Sequence, residues 1–255
     1  MEKNNQFSIK GKRILVTGSG SGLGLCMAEG LAENGASLIL NGRNNDKLEC
    51  ARQYLSNKGY TVDVCAFDVT DEKMLAACIA SIEKDGPIDV LINNAGIQRR
   101  APLDEFSQDD WDELMDTNLK GVFLTSRTVV QEMIKRRQGK IINICSLQSE
   151  LARPSIAPYA ASKGGLKMLT RAMATEWAKY NIQVNGIGPG YFKTDMTKAL
   201  YENREFDAWL CNRTPAQRWG DPKELVGVAI FLSSGASSFV NGQIIYVDGG
   251  IMACI

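Results

Sequence analysis

The stretch RILVTGSGSGLG, residues 13–24, decides the fold of this chain. An apolar run is followed at once by four glycines in seven residues, and an apolar pattern at helical spacing then runs from Leu23 to Glu33. This order predicts a strand that turns sharply into a helix. Glycine permits the tight turn and a close approach to the backbone, and the free N–H groups at a helix start favour a phosphate.

The spacing of these glycines predicts a dinucleotide pyrophosphate site, although it is Gly18-xxx-Gly22-x-Gly24 and not the usual GxGxxG. A plain flexible turn between strand and helix also fits the glycines. The residues expected to touch the cofactor here are Gly18, Ser19, Ser21, Gly22, Leu23 and Gly24.

Short β-rich runs alternate with longer helical patterns along the rest of the chain. Strands are expected at Arg13 to Thr17, Ser37 to Asn41, Asp63 to Phe67, Val90 to Asn93, Lys140 to Cys145, Ile182 to Ile187 and Gln243 to Val247. Helices are expected at Leu23 to Glu33, Asp46 to Lys58, Asp71 to Lys84, Trp111 to Met133 and Tyr159 to Lys179. The alternation predicts an α/β fold, with a doubly wound parallel sheet of about seven strands and helices on both faces.

We expect one domain over residues 1–255, because no linker or low-complexity stretch divides the chain. The one long segment without a strand, Tyr191 to Pro215, is rich in aromatic and charged residues. Long irregular segments in compact domains are usually functional, so this one is expected to be a substrate lid.

Composition excludes several classes of function. Lys plus Arg and Asp plus Glu both total 29, so no excess charge favours nucleic acid or an anionic membrane. The chain has seven cysteines, no CxxC pair and no histidine, so we expect neither a disulfide framework nor a metal site. The lack of histidine also excludes a Ser-His-Asp or Cys-His hydrolase. With no signal peptide or membrane-spanning run, we expect a soluble, cytoplasmic protein with a small-molecule partner.

The end of the second predicted strand indicates which dinucleotide binds. A carboxylate there would hold an adenosine ribose diol, but the sequence LILNGRN places Arg43 directly after Gly42. A guanidinium suits a 2′-phosphate, so NADP is predicted over NAD. An ordinary surface arginine near a helix start is the alternative.

Two further strand ends carry residues suited to a nucleotide. Asp68, with Val69 beside it, follows the third strand; its carboxylate can accept from an adenine amino group or cap the helix that starts near Asp71. The sequence INNAG ends the fourth strand, where Asn94, Ala95 and Gly96 can flank a nucleotide sugar. A plain Asn-rich turn fits the same residues.

The sequence APYAASKGG carries the predicted chemistry. Tyr159 and Lys163 are four residues apart, so on a helix begun by Pro158 they share one face. An ammonium beside the phenol favours the ionised phenol and suits Tyr159 to act as a general acid or base. Ser146 follows an apolar strand, and its hydroxyl can hydrogen-bond a carbonyl oxygen as charge develops there. Each of these residues alone is also common as a surface or turn residue.

Together these motifs resemble the short-chain dehydrogenase/reductase family, in order and over nearly the whole chain. The resemblance implies a single-domain Rossmann fold, hydride transfer between NAD(P)H and a carbonyl or alcohol, and often a homotetramer. It makes Tyr159 the proton donor in reduction and Ser146 the residue that positions the carbonyl. Lys163 would bind the nicotinamide ribose, and Asn118 would hold a water that links Lys163 to solvent. The sequence Pro189-Gly190 adds a further cofactor contact. Many NADP-preferring members have a basic residue in the glycine turn; here NADP selectivity rests mainly on Arg43.

A closer resemblance is to members that reduce a keto sugar acid with NADPH. The stretches that carry it are NNAGIQRRAP, INICSLQSELARPSIAPYAASKGGLKMLTR, NGIGPGYFKTDMTKAL and FDAWLCNRTPAQRWGDP. A sugar acid needs a cation for its carboxylate and polar groups for its hydroxyls. Arg100 is the first choice for the carboxylate because it follows the loop after Gly96, and Arg99 is the second. The other candidate substrate residues are Gln148, Glu150 and Lys193.

Three alternatives remain open. Both arginines can be solvent-facing loop charges or subunit contacts. The same machinery can reduce another sugar acid, a polyol or a 3-oxoacyl thioester, because fold and catalytic residues do not determine the substrate. A cofactor-binding regulator without turnover is disfavoured, because the catalytic set is complete.

Overall fold

The computed structural model describes residues 5–254 and confirms the predicted α/β architecture. Seven parallel strands form one sheet in the order β3-β2-β1-β4-β5-β6-β7. All seven strands lie where the sequence predicts them, with ends that differ by at most two residues. The strands are β1 (Arg13–Val16), β2 (Ser37–Gly42), β3 (Val62–Ala66), β4 (Val90–Asn93), β5 (Gly139–Ile144), β6 (Ile182–Pro189) and β7 (Ile244–Val247).

Helices connect the strands and cover both faces of the sheet. They are α1 (Gly22–Glu33), α2 (Asn45–Ser56), α3 (Glu72–Ile82), α4 (Gln108–Met115), α5 (Gly121–Arg136), α6 (Ala157–Trp177), α7 (Lys198–Tyr201), α8 (Arg204–Arg213) and α9 (Val226–Ser233). The single helix predicted from Trp111 to Met133 is α4 and α5 joined by a π-helical turn, Asp116–Lys120. None of the helices within residues 5–254 is long and apolar enough to cross a membrane.

Alternating side chains of the strands fill two cores, one on each face. Ile14 and Val16 of β1 point into the core shared with α1, α2 and α9. Leu15, between them, points into the core shared with α3, α5 and α6. All three side chains are fully buried. A strand covered on both faces must be apolar at successive positions, which is why the sequence shows continuous apolar runs there.

The strand order reverses between β1 and β4, which are neighbours although two strands separate them along the chain. After β1 the chain moves outward to β2 and β3, and it then returns to place β4 on the other side of β1. A crevice opens beyond the carboxyl ends of strands at such a reversal. The glycine turn after β1 and the loop after β4 therefore face each other across it.

The segment 191–215, the predicted lid, contains α7 and α8 and no strand. Its aromatic side chains pack around Trp219: the ring centroid of Tyr191 lies 5.8 Å from that of Trp219, at an interplanar angle of 89°. The centroid of Phe206, in α8, lies 6.4 Å from that of Trp219. The indole N–H of Trp219 donates to Asp207, 2.6 Å away, and anchors α8. The segment is an ordered helical cover with its own small apolar cluster.

Candidate active site

The glycines after β1 allow the loop after β4 to approach the turn. A Cβ on Gly18 would lie 2.8 Å from the Cα of Ala95, and one on Gly24 would lie 2.5 Å from Nδ2 of Asn94. Gly18 and Gly22 also have φ values of +63° and +58°, in the left-handed region that side chains disfavour. The glycines were predicted to let a ligand approach the backbone. At Gly18 and Gly24 they also make room for the loop after β4.

Hydrogen bonds hold these two loops in register. The hydroxyl of Thr17 accepts from the backbone N–H groups of Asn94 and Ala95, each 3.0 Å away. The side-chain amide of Asn94 donates to the carbonyl oxygens of Thr17 and Gly18, also at 3.0 Å. The edges of the crevice are thus set before any ligand binds.

The start of α1 is suited to a phosphate. Its N-cap residue, Ser21, accepts no hydrogen bond from the helix with its side chain, whereas Asn44, Asp71 and Ser107 cap α2, α3 and α4 in this way. The first N–H groups of α1 therefore remain available, at the positive end of the helix dipole. The cavity described below is lined here by Gly18, Ser21, Gly22, Leu23 and Gly24. These residues fit a pyrophosphate.

Ser19 is a correction to the predicted cofactor contacts. Its side chain is fully buried. The hydroxyl donates to the carbonyl of Val16 at 2.7 Å and accepts from the N–H of Asn41 at 3.0 Å. Because both bonds point into the fold, Ser19 joins β1 to β2 and its side chain does not face the crevice.

Arg43 and Asp68 lie together at the ends of β2 and β3. A guanidinium nitrogen of Arg43 is 3.7 Å from the Asp68 carboxylate, and 61% of the Arg43 side chain is exposed. Asp71, not Asp68, caps α3; Asp68 instead accepts from the backbone and hydroxyl of Thr70. This pair leaves the guanidinium in solvent, where a phosphate can reach it. Val69 is buried against Gly121, so its side chain is a packing contact.

Ser146, Tyr159 and Lys163 line one cavity of about 300 Å³ with the glycine turn. Tyr159 and Lys163 lie in the first turns of α6, which begins with a proline in its first turn as predicted. Lys163 is 5% exposed, and its ammonium donates to the carbonyl of Ile144 at 2.7 Å. That nitrogen also lies 5.7 Å from the centroid of the Tyr159 ring. The end of β5 and the start of α6 therefore bring together two hydroxyl groups and one ammonium.

Asn118 lies beside this group, within the π-helical turn. Its amide accepts from the N–H of Ile97 at 2.8 Å and donates to the carbonyl of the same residue at 2.9 Å. It is fully buried and does not line the cavity. Helical turns of this π type are frequent at functional sites. The structure thus makes Asn118 the support of the loop after β4, and its role with a bound water stays a prediction.

The substrate residues predicted from the sequence divide into two groups. Arg100 and Gln148 line the cavity, and Gln148 accepts a hydrogen bond from the hydroxyl of Ser146 at 2.6 Å. Partial burial lowers the pKa of Arg100, and the nearby charge of Arg153 lowers it further.

Pro189 and Gly190, the predicted cofactor contacts after β6, also line the cavity. Asn94, Ala95 and Gly96 do so as well.

Arg99, Glu150 and Lys193 do not line the cavity, contrary to expectation. Arg99 turns toward α4, where it pairs with Asp110 at 3.2 Å and Glu113 at 2.6 Å. Glu150 accepts from Lys167 and from the hydroxyl of Tyr246, and these bonds hold the pKa of its carboxyl below the ordinary value. Lys193 is exposed, with its ammonium 5.9 Å from the Tyr201 ring centroid.

Sequence reasoning missed several residues of the cavity. Arg153 lies in the loop between β5 and α6 and lines the cavity. The available signal was that it is a cation located between Ser146 and Tyr159 in the sequence. The predicted lid also contributes wall residues that were not singled out individually from the sequence. These are Tyr191, Phe192, Thr194, Asp195, Met196, Thr197 and Leu200.

Three comparisons place this site among known proteins. Residues 12–205 match the family model described as short chain dehydrogenase. The chain is 56% identical to a gluconate 5-dehydrogenase of Gluconobacter oxydans (strain 621H), over 98% of both chains. It is 54% identical to a 5-keto-D-gluconate 5-reductase of Escherichia coli (strain K12), over 99% of this chain and 100% of the relative.

A solved structure agrees with these sequence relatives. It is a gluconate 5-dehydrogenase from Burkholderia cenocepacia J2315 in complex with NADP and tartrate, with a TM-score of 0.96 and 52% identity over 98% of both chains. The cavity at the strand reversal and the matched family model lead to one assignment. This chain belongs to the short-chain dehydrogenase family.

Proposed function

We propose that this protein reduces 5-keto-D-gluconate reversibly to D-gluconate with NADPH. The observation that carries the proposal is the convergence of Ser146, Tyr159, Lys163 and Arg100 on the cavity that the glycine turn also lines. The names of the relatives support the same reaction, because two of them are described by gluconate or its 5-keto derivative. NADP in the Burkholderia structure supports the cofactor.

The chain's own residues would hold NADPH along the crevice. The free N–H groups at the start of α1 suit the pyrophosphate, and Arg43 suits the 2′-phosphate. Lys163 and the loop from Asn94 to Gly96 lie where the nicotinamide ribose is expected. Bound there, NADPH supplies the hydride for reduction of the keto carbon.

Tyr159 and Ser146 then act on the keto oxygen. The Tyr159 hydroxyl donates its proton to that oxygen, and the Ser146 hydroxyl hydrogen-bonds the same oxygen as charge develops. Lys163 stabilises the ionised phenol that remains, and its bond to the Ile144 carbonyl keeps its ammonium in place. In the reverse direction the same phenol accepts the proton of the alcohol. Asn118 is proposed to hold a water that connects Lys163 to solvent.

Arg100 is proposed to bind the substrate carboxylate, and Gln148 to bind a hydroxyl group. Both side chains line the cavity, and a guanidinium can bond a carboxylate through two N–H groups. Tartrate in the Burkholderia relative supports a site that accepts hydroxy acids. We also propose that residues 191–215 close over the substrate, since seven side chains from this segment line the cavity. A homotetramer in the cytoplasm is the assembly and location we expect from the family resemblance.

Substitution of Tyr159 by Phe tests the proton donor. We expect turnover to fall by about 10²- to 10⁴-fold, because the variant loses its general acid. NADPH binding, followed by fluorescence titration, is expected to stay close to wild type. Tyr180→Phe is the matched control, because it removes a hydroxyl outside the cavity. Wild-type activity in Tyr159→Phe would overturn the assignment.

A further inference from the structure

Two arginines line the same cavity as Ser146 and Tyr159. Arg100 follows β4 and Arg153 follows β5, and both line the cavity. A backbone hydrogen bond from Ala101 to Ser155, 3.2 Å long, joins their two loops. Within residues 5–254 neither guanidinium forms an ion pair, whereas Arg99, in the same loop as Arg100, is bound by two carboxylates. The cavity therefore offers two available cations on loops that are held together.

Arg153 is held more firmly than a surface arginine. Its guanidinium lies 5.2 Å from the centroid of the Phe206 ring in α8, at the distance of a cation–π contact. Its Nε atom is buried and has no hydrogen-bond partner among the described residues. Buried polar atoms in native proteins nearly always have a partner, so a ligand or a water beside this guanidinium would supply the bond that the described residues do not.

The charges of the two arginines act on each other. Burial lowers the pKa of Arg100, and the charge of Arg153, which lines the same cavity, lowers it further. Two neighbouring cations without a counterion are unfavourable until an anion binds between them. A carboxylate has two oxygens and can accept from both groups.

We propose that Arg153, together with Arg100, binds the carboxylate of the substrate, and that Arg153 is a determinant of the preference for a sugar acid over a neutral sugar. This inference rests on the proposed function. The site favours a carboxylate over a cofactor phosphate because the glycine turn and Arg43 already serve the phosphates. The contact with Phe206 also links the bound carboxylate to α8, so substrate binding stabilises the cover formed by residues 191–215.

Arg153→Gln removes the charge and keeps a polar, though shorter, side chain. We expect KM for 5-keto-D-gluconate to rise about 10- to 100-fold, the effect of losing a charge-assisted hydrogen bond. We expect kcat and the KM for NADPH to change much less, because the contact is made equally in the ground state and the transition state. Arg153→Lys keeps the charge but loses the planar guanidinium group that can donate two parallel hydrogen bonds. Its KM for 5-keto-D-gluconate should therefore lie between those of the wild type and Arg153→Gln.

A neutral analogue separates a carboxylate contact from a general loss of structure. D-Glucitol has the carbon skeleton of D-gluconate with an alcohol in place of the carboxylate. In wild type, D-gluconate should inhibit the reduction more strongly than D-glucitol does, and in Arg153→Gln that difference should shrink by the same factor as KM rises. Arg204→Gln, which removes an exposed charge from α8 outside the cavity, is the matched control.

The outcomes are distinguishable. Lack of wild-type turnover with 5-keto-D-gluconate would overturn the proposed function and this inference with it. Wild-type turnover together with an unchanged KM in Arg153→Gln overturns the inference alone. A parallel loss of NADPH affinity and thermal stability assigns Arg153 a purely structural role and also overturns it. If Arg153→Gln does not fold, the KM of Arg153→Lys decides: an unchanged value overturns the inference.

Discussion

Replacing Gly24 by alanine tests whether the two crevice loops must touch. The added Cβ would lie 2.5 Å from Nδ2 of Asn94 and 2.5 Å from the carbonyl oxygen of Gly18. Ordinary contact begins near 3.4 Å, so both of these distances must open by about 0.9 Å. The Gly18 oxygen belongs to the backbone, and the Asn94 side chain is restrained because it donates to the carbonyls of Thr17 and Gly18.

The expected loss of stability for Gly24→Ala is about 1–3 kcal/mol, the usual cost of overpacking a close contact. Gly227→Ala is the control: it also lies in a helix, and no atom of the described residues lies within 4 Å of its added Cβ. Alanine there is expected to stabilise the protein by up to about 1 kcal/mol through helix propensity. The changes in the free energy of unfolding should therefore have opposite signs in the two variants.

Urea unfolding measures the stability of both variants, and fluorescence titration measures their NADPH dissociation constants. Because the shift of the Gly24 turn disturbs the N–H groups at the start of α1, we expect the dissociation constant of Gly24→Ala to rise about tenfold, equivalent to about 1.4 kcal/mol. The reasoning is refuted if Gly24→Ala is as stable as Gly227→Ala and binds NADPH with wild-type affinity.

Two further predictions concern the cofactor and the pH dependence of stability. In Gly42→Asp/Arg43→Ser the new Cβ at 42 lies 3.6 Å from Leu48, an ordinary contact, so the backbone tolerates a side chain there. The NADPH-to-NADH ratio of kcat/KM should fall about 100-fold, and an unchanged ratio would contradict the role of Arg43. Burial lowers the pKa of Lys140 to about 8. In the unfolded chain this lysine stays protonated to higher pH, so the free energy of unfolding should rise between pH 8 and pH 10. Denaturant unfolding at several pH values should show a smaller rise in Lys140→Met.

The sequence predicted most of the fold because buried parallel strands leave a strong local signal. Continuous apolar runs mark β1, β4 and β5, and the glycines after β1 mark the first turn. The π-helical turn at 116–120 leaves no comparable signal, since its residues fit an ordinary helix. The boundary between α4 and α5 was therefore missed.

The position of the two predicted catalytic residues could also be read from the sequence, because Tyr159 and Lys163 are separated by one helical turn within α6 and line the same cavity. The substrate residues were harder to predict because their orientation depends on contacts distant in sequence. Arg99 and Arg100 are adjacent, yet Arg99 faces away because α4 presents two carboxylates to it. The Arg153 side chain lies against Phe206 of α8, a contact between distant parts of the sequence that no local pattern encodes.

The most direct test of the proposed function is NADPH consumption by the purified protein with 5-keto-D-gluconate. The same assay is run with 2-keto-D-gluconate, D-fructose and an acetoacetyl thioester, and repeated with NADH. We predict fast turnover with 5-keto-D-gluconate and NADPH, and much slower turnover with the neutral sugar, the thioester and NADH. Turnover only with the thioester or the neutral sugar would contradict the assignment of a sugar-acid substrate and leave the chemistry of Tyr159 in place.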